Sequence, residues 1–162
     1  MDHLWTPWRT TYMKEKRERS VCIFCEAAAG GNDEETLVVH RASFNFVILN
    51  RYPYTSGHLM IAPYRHVSRL TQVDDATVEE MMRLARLSER LLEEGYQPQG
   101  INIGMNLGEA AGAGIEQHIH LHALPRWLGD ANFMTSVGNT RIIPEELGVT
   151  FAKLRQAFKG NG

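Results

Sequence analysis

Residues 117–124 read Gln117-His118-Ile119-His120-Leu121-His122-Ala123-Leu124, a strict alternation of polar and apolar side chains. That pattern calls for an extended strand, in which successive side chains point to opposite faces. His118, His120 and His122 then share one face while Ile119 and Leu121 enter the opposite layer. The rise per residue puts neighbouring imidazoles ~6–7 Å apart and the outer two ~13 Å apart. Adjacent members could share one metal ion or one polyphosphate, and the outer pair could not chelate the same ion. Pro125 is expected to close the strand. Histidine is uncommon, and neutral imidazole is suited to catalysis and ligation. The row therefore reads as a working face rather than an exposed polar edge.

A strand with one buried side needs a sheet and a cover, and the rest of the chain supplies both. Short β-rich runs occur at Leu37–Val39, Phe44–Leu49, His58–Ala62 (ended by Pro63) and Ile101–Asn106. The Pro53/Gly57 interruption suits an antiparallel pair. Residues 74–95 form the clearest helix. Asp74 and Asp75 stand where a cap and negative charge are favoured. Met81, Leu84, Ala85, Leu91 and Leu92 recur near helical spacing, and Gly95 is the expected stop. A second helix is predicted from Pro144-Glu145-Glu146 to about Phe158. Ala27–Asp33 reads as a turn or loop, and residues 1–20 as an arm that packs Trp5, Trp8 and Tyr12 before a charged stretch. Packing of Trp5 and Trp8 on the body or on a second subunit is favoured over base stacking. Strands are not interleaved with helices, so the expected class is α+β with an antiparallel sheet, not a doubly wound one.

At 162 residues there is room for one domain. Lys+Arg number 17 against Asp+Glu 19, so bulk charge argues for neither nucleic acid nor an anionic membrane as partner. No run approaches the ~20 apolar residues of a membrane helix. Met1-Asp2-His3-Leu4-Trp5 has no secretory apolar core, so a cytoplasmic protein is expected.

Two features beside the histidines carry chemistry. Gly108-Glu109-Ala110-Ala111-Gly112-Ala113-Gly114 precedes the strand, and glycines let backbone N–H groups approach an anion closely. The loop fits neither standard nucleotide-binding glycine pattern, and its weight comes from its place between Asn106 and the imidazoles. Cys22-x-x-Cys25 reads as metal or redox chemistry in a reducing compartment. No βαβ pattern surrounds it to favour redox, and packed reduced cysteines are the plain alternative. A tetrahedral metal site needs two further ligands, and His40 is a candidate by nearness in sequence. His3 and His58 read as structural or exposed.

His118–Arg126 resembles the His-x-His-x-His signature of the histidine triad (HIT) family of nucleotide hydrolases and transferases. Phe46–Pro53 and Gly57–Pro63 resemble the nucleoside-binding strands of its dinucleoside polyphosphate branch. Leu4–Arg9 and Pro125–Phe133 resemble the bacterial diadenosine tetraphosphate (Ap4A) phosphorylase type. The resemblance implies one HIT domain over residues 1–162, with an arm at 1–20 and a C-terminal helical extension at 137–162. Its fold would be an antiparallel sheet with one long helix and a C-terminal helix.

The resemblance also implies roles. His120 would attack the α-phosphorus and carry the nucleotidyl group, and His122 would hold the phosphate and orient His120 or the leaving group. Asn50 would contact the ribose, with Phe46 and Ile48 near the base. Asn106, the amides near Gly112 and Gly114, and Gln117 would lie at the phosphates. Where family members carry a hydroxyl residue or Gln, this loop reads Ala113-Gly114-Ile115-Glu116-Gln117. His66 and His118 would join Cys22 and Cys25 around a structural zinc, with no organic cofactor. A homodimer and an adenosine polyphosphate substrate are implied, with Ap4A and phosphate giving ATP and ADP. Rival readings are a hydrolase or phosphoramidase using water, a zinc-stabilised nucleotide-binding module without turnover, and a metalloenzyme built on the triad. Arg126 is expected to supply charge to an acceptor phosphate if it folds back. The rate should fall below pH ~6, because a protonated imidazole has no lone pair.

Overall fold

A computed structural model describes residues 21–131, 135 and 143–161. The N-terminal arm with Trp5, Trp8 and Tyr12, the pair Asn132-Phe133, and residues 137–142 of the expected C-terminal extension lie outside them.

Among the described residues, five strands form one antiparallel sheet in the order β1-β2-β3-β5-β4. They are β1 (Val38–Arg41), β2 (Asn45–Leu49), β3 (Leu59–Pro63), β4 (Gly100–Met105) and β5 (Leu121–Arg126). Among the described residues the α-helical elements are α1 (Ile23–Ala28), α2 (Asp33–Thr36), α3 (Asp75–Tyr96) and α4 (Leu147–Lys159). The α+β class follows as the sequence predicts. The chain leaves β3, crosses through α3 to the outer strand β4, and returns to insert β5 between β3 and β4. That return carries the histidines into the middle of the sheet.

Pairing registers sort the two faces. Phe46 opposes Ala62, Ile48 opposes Met60, and Met60 opposes His122, so these side chains share a face. Leu121, Ala123, Ile61 and Val47 share the other, which joins Met81, Leu84, Leu91 and Leu92 of α3 in the core. Each fully buried aliphatic side chain there contributes about 1.5–3 kcal/mol.

Several boundaries differ from the pattern reading, each for a local reason. The strand expected at 117–124 begins only at Leu121, and Pro125 lies inside it. Pro125 opposes Ile101 of β4, while β3 pairs with β5 no further than Ala123. Proline is tolerated at such a one-sided position. Ala27 and Ala28, expected in a loop, close α1, whose Phe24 and Ala27 are buried. Gly95 does not stop α3. The helix runs on to Tyr96, whose hydroxyl donates to Glu145 at 2.7 Å, and Gln97 takes the left-handed cap. Pro144-Glu145-Glu146 precedes α4 rather than starting it, with Glu146 as the cap residue and Glu145 accepting from Tyr96, Thr150 and Lys153.

Asp74 caps α3 as expected, its carboxylate accepting from Thr77 N at 2.8 Å. Two turns further in effect, Glu80 is buried and spans to the β1–β2 hairpin. Its oxygens accept from the amides of Ser43, Phe44 and Asn45 and from Asn45 Nδ2, at 2.7–3.0 Å. Burial pushes this carboxyl up, and the Asn45 and backbone donors outweigh it and hold the group ionised.

Candidate active site

The three histidines lie where β3, β5 and the segment before β5 converge, and they serve different neighbours. His118 and His120 are buried, 0% and 5% exposed. Residues 118–120 are not regular strand, so the rings converge: those of His120 and His122 meet edge-on with centroids 4.8 Å apart. Phe24 of α1 packs against both His118 and His120, at 5.1 and 4.8 Å.

Hydrogen bonds assign the tautomers. His120 Nδ1 is 2.9 Å from the carbonyl oxygen of His118. A carbonyl only accepts, so Nδ1 carries the proton and donates it, and Nε2 keeps its lone pair. Burial pushes the His120 pKa down, which keeps that lone pair free at neutral pH. His122 is lowered to about 4 by burial and by His120 beside it. The acid limb expected near pH ~6 therefore moves to lower pH.

His58, which the sequence left as structural or exposed, belongs to this site. It is 1% exposed, and its Nε2 stands 2.9 Å from His122 Nδ1. Its Nδ1 accepts from the amide of Tyr54 at 3.2 Å, so its proton is on Nε2 and is donated to His122 Nδ1. Neutral His122 is thereby left with an N–H at Nε2, a donor facing away from His58. Gly57 makes this possible. Its φ is +80°, and an added Cβ would lie 3.1–3.3 Å from Leu92, Tyr96 and Pro125. A sequence signal existed in a histidine set directly before an all-apolar strand and after a glycine, but its partner is 64 residues away.

The first histidine belongs to a second cluster. One ligand atom each from Cys22, Cys25, His66 and His118 lies within 4.8 Å of the others. His118 Nδ1 is 3.6 Å from Cys22 Sγ and 3.7 Å from Cys25 Sγ, and His66 Nδ1 is 3.1 Å from Cys25 Sγ. Donors around a tetrahedral zinc stand roughly 3.3–3.8 Å apart, from bond lengths of 2.0–2.3 Å. His118 Nε2 lies 2.8 Å from Pro63 O and must donate to it, which turns the Nδ1 lone pair towards the sulfurs. Two thiols, two imidazoles and a fixed tautomer fit a closed metal centre. His40, the competing ligand by sequence distance, stacks on Phe158 of α4 at 5.3 Å instead. Among the described residues, no such cluster includes His120 or His122.

The other expected site residues lie on β2, just after it, in the loop before β5, and at the end of β5. Phe46 and Ile48 share the His122 face and are buried, Phe46 against Tyr64 at 5.4 Å. Asn50 donates its amide to His58 O at 3.0 Å, its side chain accepts from Tyr52 N at 2.9 Å, and with Pro53, Ser56 and His58 it lines a narrow pocket. Asn106 follows the end of β4, where Met105 opposes Leu121, and is exposed with its Nδ2 only 3.4 Å from Gly112 O. Gly112 has φ +89° and its N–H is donated to Glu109 O at 2.8 Å, so it shapes the loop. The Gly114 amide makes no backbone hydrogen bond among the described residues. Gln117 is exposed beside Glu116. Arg126 does not fold back: Asp130 binds its guanidinium through Nε and Nη2, and Asn102 binds Nη1.

Two imidazoles in ring contact, the buried His120 and its neighbour His122, with His58 bonded behind them, make up one His-x-His-x-His site. Residues 32–127 match the HIT domain family, and the chain belongs to it. It is 40% identical over 155 residues to the AP-4-A phosphorylase of Mycobacterium tuberculosis, covering 91% of this chain and 79% of that protein. A crystal structure of a Zn-bound histidine triad family protein from Mycobacterium smegmatis superposes with a TM-score of 0.65 at 30% identity, covering 86% of this chain and 97% of that one. A hypothetical histidine triad nucleotide-binding protein from Sulfolobus tokodaii shares the fold, with a TM-score of 0.67 at 22% identity over 86% of this chain and 93% of that one.

Proposed function

We propose that this chain is a nucleotidyl transferase that cleaves dinucleoside polyphosphates, Ap4A foremost, and passes the nucleotidyl group to inorganic phosphate. The observation that carries this reading is the bond from His120 Nδ1 to His118 O, which leaves a neutral, buried imidazole with its Nε2 lone pair free. That nitrogen attacks the α-phosphorus, and the P–O bond to the leaving polyphosphate breaks with its electron pair. Phosphate oxygen then attacks the same phosphorus, the P–N bond breaks, and the lone pair returns to Nε2. Ap4A yields ATP first and ADP second. The His122 N–H held by His58, the Asn106 side chain and the Gly114 amide stabilise charge on the phosphoryl oxygens, with Gln117 and Gly112 shaping the loop around them. Asn50, Phe46 and Ile48 hold the nucleoside.

In this reading Cys22, Cys25, His66 and His118 hold a structural zinc, supported by the donor set and by the Zn-bound relative. When bound, the metal contributes folding energy. The edge strand β4, with Ile103 41% exposed, supports a homodimer joined sheet to sheet. No helix among the described residues is long and apolar enough to cross a membrane, and the free cysteines suit a reducing cytoplasm. The test is Ap4A turnover with and without inorganic phosphate, with products resolved. ATP and ADP at saturating phosphate support phosphorolysis, and ATP and AMP there replace it with hydrolysis.

A further inference from the structure

The chemistry above brings two anions to one place. Displacement at phosphorus is in line, so the polyphosphate departs opposite His120 Nε2, and the acceptor enters from the side the leaving group vacated. A cation fixed on that side would serve both steps. Arg126 is not available, since Asp130 and Asn102 occupy its guanidinium. Arg65 is ion-paired with Asp74 at 3.9 Å.

Arg69 is differently placed. A Cβ built on Gly108 would lie 3.4 Å from Arg69 Nη1 and 3.9 Å from Nη2, so the guanidinium lies over the first residue of the glycine loop. Gly108 has φ +92°, a backbone conformation that favours glycine, and the guanidinium stands at van der Waals distance from where a Cβ would be. The Arg69 backbone is held as well. Gln72 Oε1 accepts from the amides of Ser68 and Arg69 at 3.0 and 2.9 Å, and Val67 O accepts from Ile119 N, inside the triad, at 2.8 Å. The segment bearing Arg69 is thus tied to the strand entry that carries His118 and His120. Arg69 is exposed, and no carboxylate lies within ion-pair distance of it among the described residues.

We propose that Arg69 binds the phosphates on the leaving side of the α-phosphorus: first the departing polyphosphate, then the inorganic phosphate that replaces it. The inference rests on the transfer mechanism proposed above. A guanidinium over a glycine loop presents forked N–H donors to phosphate oxygens, and water as acceptor needs no such group. Arg69 therefore decides how the nucleotidyl enzyme partitions between phosphate and water. In the phosphate step an acceptor oxygen bonds to phosphorus, the P–N bond breaks, and the acceptor's hydroxyl proton passes to solvent.

The experiment compares wild type, Arg69→Ala and Arg65→Ala. The ADP:AMP ratio is measured against inorganic phosphate during Ap4A turnover, and ATP and AMP affinities are measured by calorimetry. Arg69→Ala is expected to need about tenfold more phosphate for the same ratio, and to lose ATP affinity by a similar factor with AMP affinity within twofold. Arg65→Ala should match wild type. Equal weakening of ATP and AMP, no change in either readout, or equal effects in both variants would overturn the assignment. If wild type forms no ADP at any phosphate concentration, phosphorolysis fails as the reaction, and the ATP-against-AMP contrast still decides Arg69.

Discussion

His58 Nε2 lies 2.9 Å from His122 Nδ1, and this one contact decides which nitrogen of His122 faces outward as a donor. With His58 Nδ1 accepting from Tyr54 N, both tautomers are assigned from a backbone amide. His58→Ala frees His122 to adopt the wrong tautomer. The expected result is a fall in kcat of about 10–100-fold with KM changed less than threefold. Steady-state kinetics check it, and an unaltered kcat would remove His58 from the machinery.

The cysteine–histidine cluster predicts metal content. Protein purified without added zinc should carry about one zinc per chain. Cys22→Ser and Cys25→Ser should lose it and unfold at lower temperature, because binding free energy in a closed site is folding free energy. Metal analysis together with thermal unfolding tests this. Metal-free protein with fully stable cysteine variants would leave packed thiols, with burial and Cys22 raising the Cys25 pKa.

Acid should act late on the rate. Burial holds His122 neutral down to about pH 4 and lowers His120 in the same direction. The kcat profile should stay flat through the ordinary histidine range near about 6.5 and fall only towards about 4. Stability has the complementary sign. The unfolded chain takes up these protons below about pH 6.5 while the native state does not, so stability is full above that pH and declines as pH drops towards 4. A rate midpoint near 6.5 in the pH profile would contradict the burial argument.

Legibility in the sequence followed the range of each signal. α3 was readable because Met81, Leu84, Ala85, Leu91 and Leu92 repeat with the helical period and Asp74 caps them, all local facts. α1 was not, because six residues with only Phe24 and Ala27 buried cannot show a period. The face shared by Phe46, Ile48 and His122 follows from alternation, yet the burial of His120 depends on Phe24, nearly a hundred residues before it in the chain. The same limit hid His58. Its neighbours Gly57 and Leu59 are legible, but the imidazole it bonds belongs to another strand. Arg126 misled for the opposite reason: its side chain is captured four residues on, by Asp130 in a turn that Gly129 makes with φ +84°.

Glu80 joins the long helix to the first hairpin, and its removal should be felt in stability. Glu80→Ala takes the acceptor from the amides of Ser43, Phe44 and the buried Asn45, and leaves Asn45 Nδ2 only its bond to Thr77 O. A loss of about 3 kcal/mol is expected in denaturant unfolding. A loss below about 1 kcal/mol would mean that water replaces the carboxylate there.

The transfer mechanism depends on His120 Nε2 bonding to phosphorus. The direct measurement is rapid acid-free quenching of Ap4A turnover without phosphate, followed by mass spectrometry of the peptide containing His120. The expected result is an adenylyl adduct on His120 that is acid-labile and stable in base, forms within a single turnover, discharges to ADP on addition of phosphate, and is absent in His120→Asn. Turnover with no adduct at any time, or an adduct on another residue, would contradict the account.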